Sequence, residues 1–189
     1  MSVISSQNVN AIIRKTLGVI NSNIMVHGEI VGYMLYKMLE YEQKYSEQEL
    51  LDYTMLGILH DIGLYREEGL NNVADFETED TFWTHSIYGF LFLKYLSPIG
   101  DRAEIVLYHH LDYNRFGLVK SKYEHVTECL ALADKMDNFM RRKVASMEPD
   151  YFTKYRDTKF SGQAMDLFMK AEKRYGIMAN LADGSFKDV

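Results

Sequence analysis

Proline and cysteine are almost missing from this chain: two prolines, Pro98 and Pro149, and one cysteine, Cys129, occur in 189 residues. Proline removes a backbone donor and clashes with the preceding helical turn, so long helices can run uninterrupted everywhere except near those two points. A single cysteine excludes an internal disulfide framework and a cysteine-built zinc site, and its place in the apolar run CLALA fits a small core residue. No apolar run is long enough to span a bilayer. The N-terminus MSVISSQNVN lacks the basic region and apolar stretch of a secretory signal, so the cytoplasm is the expected compartment and no membrane partner is expected. Basic residues do not dominate either: 21 Lys and Arg stand against 27 Asp and Glu, a net charge of -6. That balance excludes an extended nucleic-acid-binding face. A phosphate substrate stays open, because bound metal ions would add positive charge that the residue count omits.

What is present is helical spacing. Hydrophobic residues make up 47% and charged residues 25%, proportions of a globular chain long enough to bury one core, and a single domain over 1–189 is expected. Apolar stripes run through Val9, Ile12, Ile13, Leu17 and Ile20, then through Ile30, Val31, Met34, Leu35, Met38 and Leu39. A third helix should start at Ser46, where Ser-Glu-Gln-Glu is a capping box, and end near Gly63 in the left-handed conformation. Residues 66–80 read as an exposed connection. Further helices are expected over about 82–96, 100–110, 122–144 and 160–175, with a loop over LDYNRFGLVKS. The expected fold class is all-α, a multi-helix bundle without internal repeats.

Polar residues interrupt these apolar faces at particular places. His27 continues the face of Val31, Met34 and Met38, and His85 that of Gly89, Phe92 and Leu96, at helical offsets. His60 and Asp61 end an apolar helix in GILHDIGLYR. His109 and His110 follow Ile105 and Val106 by four, and Asp134 follows Leu130 by four. His125 lies nine residues before Asp134, on the opposite side of the same helix at roughly 100° per residue, and is assigned to the surface. An ionised carboxylate buried without a partner costs several kcal/mol or more, on the order of its desolvation penalty, so the inward set needs something cationic to hold. Imidazoles and carboxylates suit divalent transition metals, iron or manganese first, with nickel, cobalt or zinc also accepted. Five histidines and two aspartates exceed the needs of one ion; two ions sharing Asp61 account for them.

In order, His27, His60-Asp61, His85, His109-His110 and Asp134 resemble the motif of the HD-domain superfamily of metal-dependent phosphohydrolases. The resemblance covers a metal-site core of about 23–144, with a helical extension over about 145–189. LHDIG, His85-Ser-Ile-Tyr-Gly89 and Asp134-Lys-Met-Asp137 look most like the HD-GYP branch, which cleaves cyclic di-GMP. Two departures stand out. Leu64 takes the place of the lysine that usually follows HDIG and contacts substrate phosphate in that branch, and LDYNRFG replaces the GYP signature. Asn23 stands where some members have a glutamate for a third metal, which implies two ions here.

The resemblance implies that His27, His60, Asp61 and Asp134 hold one ion and Asp61, His85, His109 and His110 the other. A hydroxide bridging the ions would attack a phosphate ester, a nucleotide or cyclic dinucleotide being the candidate small-molecule substrate. Asp61 and Asp137 are the candidate catalytic residues, Asp137 as a partner of a ligand or of the water. Arg141, Arg142 and Lys143 lie near the family's arginine after the last aspartate; Arg142 and Lys143, with Arg66, two past Leu64, are candidate phosphate contacts, and Arg115, Lys120 and Lys122 follow the histidine doublet. Two other functions are compatible with the same residues: an oxygen-activating di-iron enzyme, which in relatives uses fewer histidines, and a metal-bound signalling or binding module without catalysis. Trp83 and the many tyrosines fit either a core or an interface between copies in a homo-oligomer.

Overall fold

The computed structural model of the chain describes residues 15–16, 21–66, 79–142 and 150–188. Helices and short 3-10 turns account for its regular structure, with no strand among the described residues beyond an isolated bridge between Arg156 and Phe160. The all-α class expected from the periodicity is what forms. No described helix is long and apolar enough to cross a membrane.

Helix α1, Ser22–Glu42, is the central element; Val31, Met34, Leu35 and Met38 are all fully buried on it. Each such side chain withdrawn from water contributes about 1.5–3 kcal/mol. Asn21 starts the helix by accepting bonds from the amides of Asn23 and Ile24. The first apolar stripe lies outside the described residues. Helix α2, Glu47–Ile58, begins at Ser46 with the expected capping box, Glu49 reaching back to the Ser46 amide at 2.9 Å. It packs along α1 with backbones nearly touching: a Cβ on Gly28 would lie 2.1 Å from the Ile58 carbonyl oxygen. Only glycine permits that approach, and it brings His27 beside the end of α2.

The end of α2 corrects the expectation for Gly63. The helix stops at Ile58 with Leu59 as its cap, and a 3-10 turn follows over Ile62–Arg66. Gly63 does not adopt a left-handed conformation; among described glycines only Gly176 and Gly184 have positive φ. Its small size is used instead for contact, since a Cβ there would lie 2.0 Å from the His85 carbonyl oxygen.

Helix α3, Glu79–Leu96, begins three residues earlier than expected and stops before Ser97-Pro98. The helix expected over 100–110 is split into a 3-10 turn, Gly100–Arg102, and a single α turn, α4, Glu104–Leu107. The expected loop that follows contains another 3-10 turn, Tyr113–Leu118. Helix α5, Glu124–Arg142, packs against α1. Beyond it come the short α6, Tyr151–Lys154, then α7, Gly162–Tyr175, and α8, Ile177–Asp183. Helix α7 is amphipathic; Ala164, Leu167, Phe168 and Ala171 close the core against α1 and α5. Cys129 is buried in that core, as its sequence context implies.

Candidate metal centre

The seven inward residues come from five separate pieces of chain and meet at one place. His27 is on α1, His85 on α3 and Asp134 on α5, all buried. His60 and Asp61 occupy the turn after α2, where the amides of Ile62 and Leu64 bond the carbonyls of Leu59 and Asp61 and curl both side chains inward. His109 and His110 occupy the corresponding turn after α4, closed by the Leu111 amide on the Tyr108 carbonyl. His125 is remote, as expected, but half-buried rather than superficial, paired with Glu42 at 3.0 Å. Its imidazole covers the α1–α5 junction, where a fully exposed side chain would leave Glu42 without this partner.

The donors fall into two groups, His27, His60 and Asp134 in one and Asp61, His85, His109 and His110 in the other, each with one ligand atom per residue within 4.8 Å of the rest. Asp61 faces both. Its Oδ2 is 3.6 Å from His27 Nε2 and 3.5 Å from His60 Nε2, while its Oδ1 is 3.3 Å from His85 Nε2 and 3.8 Å from His109 Nε2. One oxygen of this carboxylate thus faces each group.

Two histidines carry the signature of ligands. His60 donates from Nδ1 to the Gly57 carbonyl at 2.7 Å, and His109 from Nδ1 to the Val106 carbonyl at 2.6 Å. A carbonyl only accepts, so in the neutral form of each ring the lone pair lies on Nε2, and both Nε2 atoms are buried with no hydrogen-bond partner. A buried, unsatisfied nitrogen costs about 1–3 kcal/mol, so two of them converging on one carboxylate fit a cation placed between. Burial pushes His109 well down and His110 down to about 3, so both are neutral, as ligands must be.

His27 shows what the carboxylates demand when only protons are available. Burial opposes its charge, but the bonds to Asp134 at 3.1 Å and Asp137 at 2.6 Å outweigh burial and push it up to about 10. Burial likewise opposes ionisation of Asp61 and Asp134, and the neighbouring imidazoles, His60 and His27 among them, hold both carboxyls well below the usual range. The carboxylates thus require positive charge at the point where His27 Nε2 lies, and the donor set fits divalent transition metals there.

Asp137 meets His27 at 2.6 Å. It accepts the Nδ1 proton and so fixes the ring with Nε2 inward. Asn138 was not foreseen: it is buried and donates to Asp134 Oδ1 at 2.8 Å, an i, i+4 pair that the helical offset from Asp134 could have revealed. Replacing Asp137 with alanine should weaken metal affinity about 10- to 100-fold, measured by chelator competition; unchanged affinity would mean that the ring is oriented by other contacts.

Of the expected phosphate contacts, Lys143 lies outside the described residues, as do the side chains of Arg66 and Arg142. Asn23 is exposed. Leu64 is buried against Ile24 and Tyr65, so the position that carries lysine in the HD-GYP branch is here a packing contact. Leu64→Lys should destabilise the fold by about 1.5–3 kcal/mol in urea unfolding through lost apolar burial. An equally stable variant would show that the site tolerates the lysine. A cavity of 440 Å³ opens beside His109, His110 and Asp134, with Arg115, Lys135 and Lys159 on its walls. Arg115 follows the doublet and Lys135 follows Asp134, whereas no local signal marked Lys159.

The HD domain family model matches residues 26–139, more than half of the chain. The chain is also similar to the 3′3′-cGAMP-specific phosphodiesterase 1 of Vibrio cholerae serotype O1, 26% identical over 113 residues, covering 59% of this chain and 26% of that protein. The chain therefore spans about a quarter of the length of that curated relative. No solved structure matches it.

Proposed function

The chain belongs to the HD domain family, and from that premise we propose that it is a binuclear metal-dependent phosphohydrolase acting on a phosphate ester, with nucleotides and cyclic dinucleotides as candidate substrates. The observation that carries this reading is the pair of unpartnered Nε2 atoms, on His60 and His109, set on either side of Asp61. The name of the Vibrio cholerae relative, a phosphodiesterase for a cyclic dinucleotide, supports a phosphodiester as the bond cut.

His27, His60 and Asp134 would hold one ion and His85, His109 and His110 the other, with Asp61 common to both. When bound, two divalent ions supply Lewis acidity, lowering the pKa of water and offsetting charge that grows on phosphoryl oxygens. The chain's own part is preorganisation. The Gly57 and Val106 carbonyls fix the tautomers of His60 and His109, Asp137 orients His27, and Asn138 holds Asp134. Burial keeps bulk water from competing for these groups. Arg115, Lys135 and Lys159 bring positive charge to the cavity beside the centre, where an ester's phosphate oxygens would lie.

A panel of bis(p-nitrophenyl) phosphate, nucleoside monophosphates and cyclic dinucleotides tests the proposal with metal-loaded protein. Hydrolysis of at least one of them is expected. Binding without turnover of any would favour a metal-bound sensing module, a reading motivated by Leu64, and iron-loaded turnover that requires oxygen would favour oxidative chemistry.

A further inference from the structure

The cavity beside the centre is much larger than one phosphate requires. At 440 Å³ it falls within the range of about 300–1,000 Å³ typical of small-molecule pockets. Its walls carry Trp83, Arg115, Lys135, Tyr151, Lys159 and Phe160, with Asp112 as an acidic residue on the rim. Trp83 projects from α3 and is 41% exposed, a large aromatic surface left open at the mouth of a polar site. Tyr151 is held between Tyr155, with ring centroids 4.9 Å apart, and Phe160, at 5.9 Å. Arg115 and Lys159 are exposed, and among the described residues neither has an acidic partner.

Tyr151, Lys159 and Phe160 lie beyond the matched residues 26–139. The segment that bears them is nonetheless fixed to the centre. The amides of Tyr113 and Asn114, just after the histidine doublet, donate to the carbonyls of Lys159 at 3.0 Å and Thr158 at 2.9 Å. The turn itself is braced: Asp157 accepts from the Gly162 amide at 2.8 Å, and Arg156 grips Asp166 through two bonds of 2.9 and 2.8 Å. A wall so pinned is preorganised for a ligand.

Aromatic faces next to cations recognise nucleotides, because every base has a face to stack and every phosphate a charge to pair. We propose that the C-terminal segment, together with Trp83 and Arg115, forms a nucleotide-binding wall: a base stacks on the side made by Trp83 and Tyr151, and Arg115 and Lys159 hold a phosphate other than the one cut. The inference rests on the phosphohydrolase reading and deepens it, assigning substrate grip to residues outside the matched region and to cations other than the missing lysine.

Trp83 is the only tryptophan in the chain, so its fluorescence reports directly on this wall. Metal-loaded protein is titrated with a linear dinucleotide whose phosphorothioate link resists hydrolysis, and with ribose 5-phosphate as a control without a base. Saturable quenching by the dinucleotide and little by the sugar phosphate is expected, with Kd rising fivefold or more in Lys159→Ala and in Tyr151→Leu while metal content is unchanged. Because Lys159 is exposed, its truncation leaves the fold intact if the Tyr151 variant fails to fold. Absence of saturable quenching, or an unchanged Kd in the Lys159→Ala protein, would overturn the wall. Assaying the same preparation against the panel of bis(p-nitrophenyl) phosphate, nucleoside monophosphates and cyclic dinucleotides separates the two ideas: quenching with none of them hydrolysed refutes the phosphohydrolase reading and upholds the wall, and hydrolysis without quenching does the reverse.

Discussion

Asp61→Ala should lose both metal ions and at least about a thousandfold in kcat/KM against bis(p-nitrophenyl) phosphate, since metal ions supply several kcal/mol of transition-state stabilisation and each 1.36 kcal/mol is tenfold. The reason is geometric. Its Oδ2 lies 3.5 Å from His60 Nε2 and its Oδ1 3.3 Å from His85 Nε2, so one side chain serves both donor groups. Removing it leaves two sets of imidazoles, with Asp134 as the remaining carboxylate in the His27 and His60 group. Asp61→Asn keeps the shape and removes the charge, and should fail in the same way. Elemental analysis beside the kinetics makes the test sharp. If Asp61→Ala kept one ion in full occupancy, the residue would belong to one group only, and the bridging assignment would be wrong.

Gly63→Ala should unfold most readily of the glycine variants near the centre, with a loss of about 3 kcal/mol or more, at or beyond the upper end of ordinary overpacking. The added methyl would lie 2.0 Å from the His85 carbonyl oxygen and 2.8 Å from the Gly89 amide nitrogen. Both are backbone atoms of α3, so the strain is relieved only if the whole helix moves away from the turn that bears Asp61. That movement also draws His85 from Asp61, so metal occupancy should fall with stability. Gly117→Ala is the control, because a Cβ there has nothing within 4 Å and should change stability by no more than about 0.5 kcal/mol. Urea unfolding of the two metal-free variants side by side gives the answer; equal midpoints would contradict the close-packing account.

These two residues also mark what a single sequence can and cannot reveal. Asp61 was legible because an ionisable pair ending an apolar helix violates the pattern around it, and a violated pattern points to a site. His27, His85 and Asp134 were legible through the same helical offsets that place Met34 or Leu130 in the core. Gly63 was misread because local sequence supports a left-handed cap after any helix, and only the position of α3 reveals the contact that forbids a side chain. The split of the expected 100–110 helix follows the same logic: His109 and His110 need a turn to converge, and tertiary packing overrides the local helical pattern. Asn138 was readable in principle from its offset to Asp134. Lys159 and Phe160 were not, because their place beside His110 depends on main-chain bonds to Tyr113 and Asn114, more than forty residues away in sequence.

Two ions with Asp61 between them are the centre of the proposed chemistry. Anomalous X-ray diffraction from crystals of the metal-loaded protein tests this most directly. Two peaks are expected, about 3.5–4 Å apart as in two-metal sites generally, one among His27, His60 and Asp134 and the other among His85, His109 and His110. A single peak, or metal bound away from Asp61, would contradict it.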